Sequence, residues 1–376
     1  MQLRVNKVDN VPKSAGISFE EFDGKVPDVN NLLKFCTDNG CSDLYIKVGQ
    51  APFVTRWGFI HTVPSYPVTS KIWNEWAKEA ITSENNAKYV RQKMLDFSYT
   101  IALQHEGKAD ALSEELVEEL RYRVSAGFSL GRNIATFRMI TRSLPSFSSI
   151  NFPENIQGIL RQVMKKRQGI TLFVGVTGSG KTTTLAACMN DFTKNGGPLE
   201  NTTIISLEDP VEYVFPSTQN VNILQKELGT DFKNFADGVK QSLREHPNFA
   251  NVGETRDKET IETLVEGSRT GHGVISSFHA SDCADTISRM YNMLAGQNEG
   301  IMYDLVVNLN LILCQRLIPN VNGFQLDTQY MVFTDEIKAY LNKSIANGEN
   351  IPMVINGLFQ DEKLLSSGLL KDWSVK

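Results

Sequence analysis

Gly175-Val-Thr-Gly-Ser-Gly-Lys181-Thr182 fits G-x-x-x-x-G-K-[ST] at every fixed position. Glycines there let backbone N–H groups approach a polyphosphate without a Cβ clash. The first helical turn behind the loop adds its free N–H groups and its positive dipole end. Lys181 reaches the β/γ-phosphates and the Thr182 hydroxyl ligates Mg²⁺. Gly175, Thr177, Gly178, Ser179, Gly180, Lys181, Thr182 and Thr183 are the expected nucleotide-binding set. Phosphoanhydride hydrolysis also needs a group that orients the attacking water and takes its proton. Glu208 is the first candidate for that base and Glu212 the second; Asp209-Pro210 between them is equally a turn signal, so a cap or surface turn is the competing reading. Glu254 closes Phe249-Ala-Asn-Val-Gly-Glu254, an acid after a short strand, which suits Mg²⁺ held directly or through water. His272 and His279 are two of five histidines and bracket another apolar run. A neutral imidazole can report the presence of a γ-phosphate.

These groups need a scaffold. Ile170–Val174 reads as a strand entering the phosphate loop, and Thr183–Phe192 as the helix leaving it. Short apolar strands recur at 202–207, 249–252 and 273–278, alternating with helical stretches. That alternation predicts a mainly parallel sheet covered by helices. Upstream, a helix near Asn30 stops at Asp38-Asn39-Gly40, and Leu44, Ile46 and Val48 alternate as in a half-buried strand. Further strands are expected at 53–62 and 121–142, around a helix at 70–92. Six acids in 105–119 predict a solvated helix or loop insert, and 335–376 reads as mostly helical. The predicted organisation is a loose arm at 1–27, a small α+β domain at 28–142, a turn-rich linker at 143–153 and an α/β domain at 154–376.

The composition is that of a globular protein, 41% hydrophobic and 22% charged, with a net charge of −5. That balance gives no support for direct nucleic-acid binding. No apolar run approaches the about 18 residues of a membrane span, and MQLRVNKVDN lacks a signal core, so a cytoplasmic protein is expected. Five cysteines form neither a disulfide framework nor a zinc set and read as buried thiols.

Taken in order, the motifs resemble those of the secretion ATPase superfamily, in particular the type IV pilus-retraction motors (PilT-like) and their type IVB secretion relatives (Dot/Icm- or conjugation-type). The Walker A loop is GVTGSGKTTT, and Ile205–Tyr213 looks like the acidic box. Ser242–Thr260 looks like the Walker B block and Thr270–His279 like the His box. Cys41–Gly49 and Arg121–Ser125 are similar to strands of the family's PAS-like N-terminal domain. The resemblance implies a RecA-like P-loop core behind a smaller PAS-like domain, binding ATP and Mg²⁺. It implies a homohexamer docked at the inner membrane on secretion or pilus proteins. It carries catalysis to Glu208, Mg²⁺ binding to Thr182 and Glu254, and the His-box roles to His272 and His279. It also implies that N-terminal arginines reach the nucleotide, some between subunits; Arg123, Arg132 and Arg138 match best, with Arg142 a rival to Arg138. Two departures stand out: Asn248 follows Pro247 where relatives carry an acid nearby, and Phe-Ala-Asn-Val is less apolar than the family's Walker B strand. The acidic insert and the C-terminal tail favour the type IVB side. Two other classes compete: a nucleic-acid translocase on the same core, and a nucleotide-gated docking subunit with little turnover.

Overall fold

The computed structural model describes residues 17–56, 59–81, 83–103, 118–140, 143–294, 299–320 and 323–374. The chain divides into two compact units, Met1–Ile140 and Thr141–Lys376. Most of the acidic insert lies outside the described residues, as does Arg142.

The N-terminal unit is built on one antiparallel sheet. Its strands are β1 (Asp43–Lys47), β2 (Phe53–Arg56), β3 (Phe59–Thr62), β4 (Met94–Leu103), β5 (Glu118–Ser129) and β6 (Arg132–Met139), in the order β3-β2-β1-β6-β5-β4. Asp28 caps the first helix, Val29–Asp38, by accepting from the Asn31 N–H. That helix buries Val29, Leu32, Leu33 and Cys36, the i, i+3, i+4, i+7 set of one face, and Gly40 beyond it takes φ +63°. Two helices, Ser70–Ala80 and Ser83–Gln92, stand where the sequence suggested one. The first of them turns Trp76 onto Phe97, Tyr99 and Phe137 of the sheet. Strand β4 went unread from the sequence.

The C-terminal unit carries an eight-stranded, parallel-rich sheet. Its strands are β7 (Gly169–Val174), β8 (Thr202–Glu208), β9 (Val221–Glu227), β10 (Phe249–Thr255), β11 (Gly273–Phe278), β12 (Leu309–Asn320), β13 (Gly323–Val332) and β14 (Leu370–Lys371). The order is β14-β13-β12-β7-β11-β10-β8-β9, parallel from β12 to β9 and antiparallel at β13 and β14. Every residue of β7 is buried. Ile170, Leu172 and Val174 join one apolar cluster while Phe173 joins another with Phe192 and Cys188, so helices cover both faces. This is the RecA-like α/β core, with a smaller α+β unit before it.

Residues 143–153 are packed rather than free-standing. Phe147 and Phe152 stack at 5.2 Å, and Phe147 meets the edge of Phe192 at 5.3 Å. The Phe147 N–H donates to Asp191 at 2.6 Å, and Asn190 donates to the Pro145 carbonyl at 2.8 Å. Burying each of the two phenylalanines contributes about 1.5–3 kcal/mol, so this segment is fastened to the helix behind the phosphate loop. The C-terminal tail is helical over Asp335–Ala346, Ile351–Leu358 and Glu362–Ser366, but it ends by adding β14 to the sheet edge. All five cysteines are buried and free.

Candidate active site

Three glycines shape the loop between β7 and the helix Lys181–Phe192. Gly178 and Gly180 take φ +78° and +85°. A Cβ on Gly175 would collide with the Gln315 carbonyl and with Ser179. The side chain of Gln315, on β12, donates to the Ser179 carbonyl at 2.8 Å and fastens the loop to the sheet. Lys181 is 8% exposed and folds back on the loop, donating to the carbonyls of Gly175 (2.9 Å) and Val176 (3.0 Å). Burial lowers the pKa of its ammonium, and the Glu254 carboxylate opposes that. Thr177, Gly178 and Thr182 are exposed, and Thr183 is half-buried, at the open end of the helix.

Glu208 ends β8 and is 9% exposed. Its Oε1 accepts from Ser206 Oγ at 2.6 Å and from Gln225 Nε2 at 2.9 Å. Gln225, on β9, also donates to the Tyr213 carbonyl and accepts from the Phe215 N–H, so its amide is held at both ends. Burial raises the Glu208 pKa above the ordinary carboxylate value; the Ser206 and Gln225 donors and the Glu212 backbone N–H oppose that. Glu212 itself is exposed, in the loop after the cis Asp209–Pro210 bond.

Glu254 sits near the end of β10, in the middle of a charged cluster. Arg256 Nη2 lies 2.6 Å from its Oε2, and His279 Nε2 lies 3.0 Å from its Oε1. Arg256 Nη1 is also 3.7 Å from Asp209. Glycine at 253 lets β10 run close to β8: a Cβ there would stand 2.9 Å from the Leu207 carbonyl. Burial and the Lys181 charge push the His279 pKa down against the pull of Glu254, so the ring is neutral near pH 7. For Mg²⁺ the residues fit. The Thr182 hydroxyl and the Glu254 carboxylate are hard oxygen donors, and the described residues hold no group of three His, Cys, Asp or Glu that would form an all-protein cage. Mg²⁺ is ordinarily held by one or two such side chains together with substrate phosphates.

The two histidines part company. His279 follows the C-terminal end of β11, beside Glu254. His272 precedes the N-terminal end, where its Nδ1 meets Thr270 Oγ1 at 3.0 Å and the Gly267 carbonyl at 3.1 Å. Because β11 runs parallel to β7, with Gly273 beside Gly169 and Phe278 beside Val174, His272 lies about 20 Å of strand away from the phosphate-loop end. Within this unit the structure does not bring His272 to Lys181.

In the N-terminal unit, Arg123 and Arg138 are directly opposed on β5 and β6, and both are exposed. Arg138 Nε pairs with Asp43 on β1 at 3.0 Å. Arg132 is exposed at the start of β6, its guanidinium lying over Gly49.

The Asn248 that departs from the resemblance accepts from the Thr203 N–H at 2.8 Å and so ties the start of β10 to β8. The structure adds three groups that sequence reasoning passed over: Gln225, Gln315 and Arg256. Arg256 was legible, two residues beyond Glu254. The two glutamines lie on strands, β9 and β12, that carry no motif.

A model of the family described as type II/IV secretion system protein matches residues 112–345. The type IV pilus ATPase PilU of Pseudomonas aeruginosa is 29% identical over 293 residues, spanning 78% of this chain and 70% of the relative. The type IV pilus retraction ATPase PilT of the same organism is 28% identical over 298 residues, 79% of each chain. Among solved structures, the Legionella pneumophila ATPase DotB superposes with a TM-score of 0.77 at 24% identity, covering 93% of this chain and 97% of that one. The pilus retraction motor PilT with bound ADP superposes at 0.73 with 26% identity, covering 92% and 95%.

Proposed function

The chain belongs to the type II/IV secretion system protein family, and on that premise we propose that it is the ATP-hydrolysing motor of a type IV secretion, conjugation or pilus machine, working as a cytoplasmic homohexamer docked at the inner membrane. One observation carries this reading: Lys181, which opens the helix after β7 and its loop, and Glu208 and Glu254, at the ends of the adjacent strands β8 and β10, all stand at the C-terminal edge of the parallel strands β7-β11-β10-β8, the edge where open α/β sheets bind ligands. Lys181 leaves its two loop carbonyls for the β- and γ-phosphates when ATP enters. Glu208, fixed by Ser206 and Gln225, orients the attacking water and takes its proton. Thr182 and Glu254 would hold Mg²⁺, which supplies charge neutralisation to the phosphates when bound. His279 reports the state of the site through Glu254.

Arg123, Arg132 and Arg138 are proposed to complete the site from the N-terminal PAS-like unit, between subunits of the hexamer. An arginine supplied in trans is worth roughly 10³–10⁵ in rate, a physical reason for turnover to depend on assembly. Loss of the γ-phosphate then releases one unit against its neighbour and turns hydrolysis into domain rotation.

Two measurements test the reading. Native mass measurement with and without Mg-ATP is expected to give a hexamer. ATP turnover of that fraction is expected to be Mg²⁺-dependent, insensitive to added DNA or RNA, and abolished in Glu208→Gln. Stimulation by nucleic acid with steep salt dependence would instead identify a translocase. Tight ATP binding with negligible wild-type turnover would identify a docking subunit.

A further inference from the structure

Asn251 is the residue that makes β10 look poor as an apolar strand, and it is 2% exposed. A buried amide in the middle of a sheet is costly unless its groups are paired. Its Nδ2 stands 2.7 Å from Ser206 Oγ on β8, while its Oδ1 has no hydrogen-bond partner among the described residues. Half of this amide is therefore unmet, and the half that is met points at one hydroxyl. That hydroxyl in turn lies 2.6 Å from Glu208 Oε1.

The directions of these bonds follow from chemistry. An ionised carboxylate only accepts, so Ser206 must donate to Glu208. A serine hydroxyl has one proton, so its contact with Asn251 must use a lone pair, and the amide N–H₂ must donate. Register agrees: Asn251 pairs with Ser206 across β10 and β8.

We propose that Asn251 is a positioning residue for hydrolysis: by occupying the lone pair of Ser206 Oγ it commits that hydroxyl's proton to Glu208, and so holds the base ionised and in one orientation. The inference rests on Glu208 being the base. Everything else packed against Glu208 leaves this role open. The β9 strand offers neutral Gln225, and Glu227, in register with Glu208, has its carboxylate engaged by the Val211 N–H. The following loop brings a backbone donor and a like charge, both from Glu212. On β10 it is Gly253 that lies against Glu208, and it contributes no side chain. Burial works against the ionised form of Glu208, and the Ser206 bond is the first of the groups that resist it. Without Asn251, the Ser206 hydroxyl can rotate to another acceptor and that resistance is lost.

The test is a double-mutant cycle read on the pH profile of kcat, in hexamer, for wild type, Asn251→Leu, Ser206→Ala and the double variant. Each single variant is expected to move the acidic limb upward by about one pH unit with KM for ATP unchanged. The double variant is expected to move it no further than either single one. If Asn251→Leu does not fold, Asn251→Ala carries the same test. An unmoved limb in the Asn251 variant, or shifts that add in the double variant, overturns the proposal. Glu208→Gln separates the two levels. If it keeps wild-type turnover, the base reading falls and this proposal with it; if it loses turnover while the Asn251 limb stays put, only this proposal falls.

Discussion

His279 Nε2 and Glu254 Oε1 are 3.0 Å apart, joining the ends of β11 and β10 beside the phosphate loop. The imidazole is held below its ordinary pKa of 6.5 by burial first and by the Lys181 charge second, while Glu254 pulls the other way. A neutral ring with its proton on Nε2 donates a hydrogen bond to the Glu254 carboxylate. With only five histidines in the chain, each can be followed individually by NMR. His279 is expected to titrate below 6.5 in the wild type, higher in Lys181→Met and lower still in Glu254→Gln. The stability sign follows. Below 6.5 the unfolded chain takes up the proton before the folded one, so stability falls as pH drops from 6.5 to the folded value. The ring is 41% exposed, which keeps that loss small. Identical His279 titrations in all three proteins would show that the cluster is not electrically coupled.

Lys181 is bonded to carbonyls of its own loop, at some desolvation cost to its charge. Replacing it by alanine should therefore leave the fold intact while removing the charge-assisted contact to phosphate. A charge-assisted hydrogen bond is worth about 1.5–3 kcal/mol, roughly 10–100-fold in Kd. Lys181→Ala is expected to unfold within a degree or two of the wild type in the absence of nucleotide and to lose most of the Tm rise produced by Mg-ADP. An undiminished ligand shift would remove Lys181 from the nucleotide site.

How much of this was legible depends on whether a residue's partners lie near it in sequence. The phosphate loop is a local object, and its glycines, lysine and threonine could be read from eight consecutive residues. The strands at 170–174, 202–207 and 273–278 announced themselves as short apolar runs. Gln225 could not be found this way, because its meaning comes from parallel pairing of β9 with β8, with Ser206 opposite Gln225. Gln315 reaches the loop from 136 residues away. Asn251 was visible but read as a weakness, since nothing local shows that its neighbour across the ladder is the hydroxyl that holds Glu208. His272 and His279 look equivalent in a motif; the strand between them sends them to opposite edges. Phe147 and Phe152 hid in a turn-rich stretch because turn formers report the path of the backbone, not where two aromatic rings land.

Gly175 and Gly178 belong to one motif but are constrained differently. At Gly175 a methyl group would meet the Gln315 carbonyl, which belongs to a central strand and cannot move aside. At Gly178 there is open space, and only φ +78° opposes a side chain. Gly178→Ala is expected to cost about 1–2 kcal/mol of stability from the left-handed backbone alone. Gly175→Ala should lower Tm further and abolish binding, because the loop must leave β12. Thermal unfolding with and without Mg-ADP distinguishes them; equal effects would mean that the Gln315 contact is not what fixes the loop.

The tail closes the sheet edge around one acid. Asp327 on β13 has a side chain only 3% exposed, with Arg316 Nη2 at 2.9 Å, the Ser374 N–H at 3.1 Å and Lys371 Nζ at 3.8 Å. The Arg316 guanidinium in turn lies over Trp373, 4.4 Å from its centroid. Burial acts to raise the Asp327 pKa, but the Ser374 N–H and the Arg316 and Lys371 charges outweigh it and hold it below the ordinary 3.8. A carboxylate with a depressed folded pKa contributes stability that is fully present above 3.8 and is lost as pH falls through the folded value. Asp327→Asn is therefore expected to destabilise by about 1–2 kcal/mol, less than the roughly 3–5 kcal/mol of a broken fully buried pair because Arg316 is itself partly exposed. Urea midpoints at pH 7 and pH 4 should show nearly the same gap between variant and wild type, and the gap should narrow by pH 3. A gap that persists undiminished at pH 3 would mean that the tail is held by Trp373 packing rather than by the charge of Asp327.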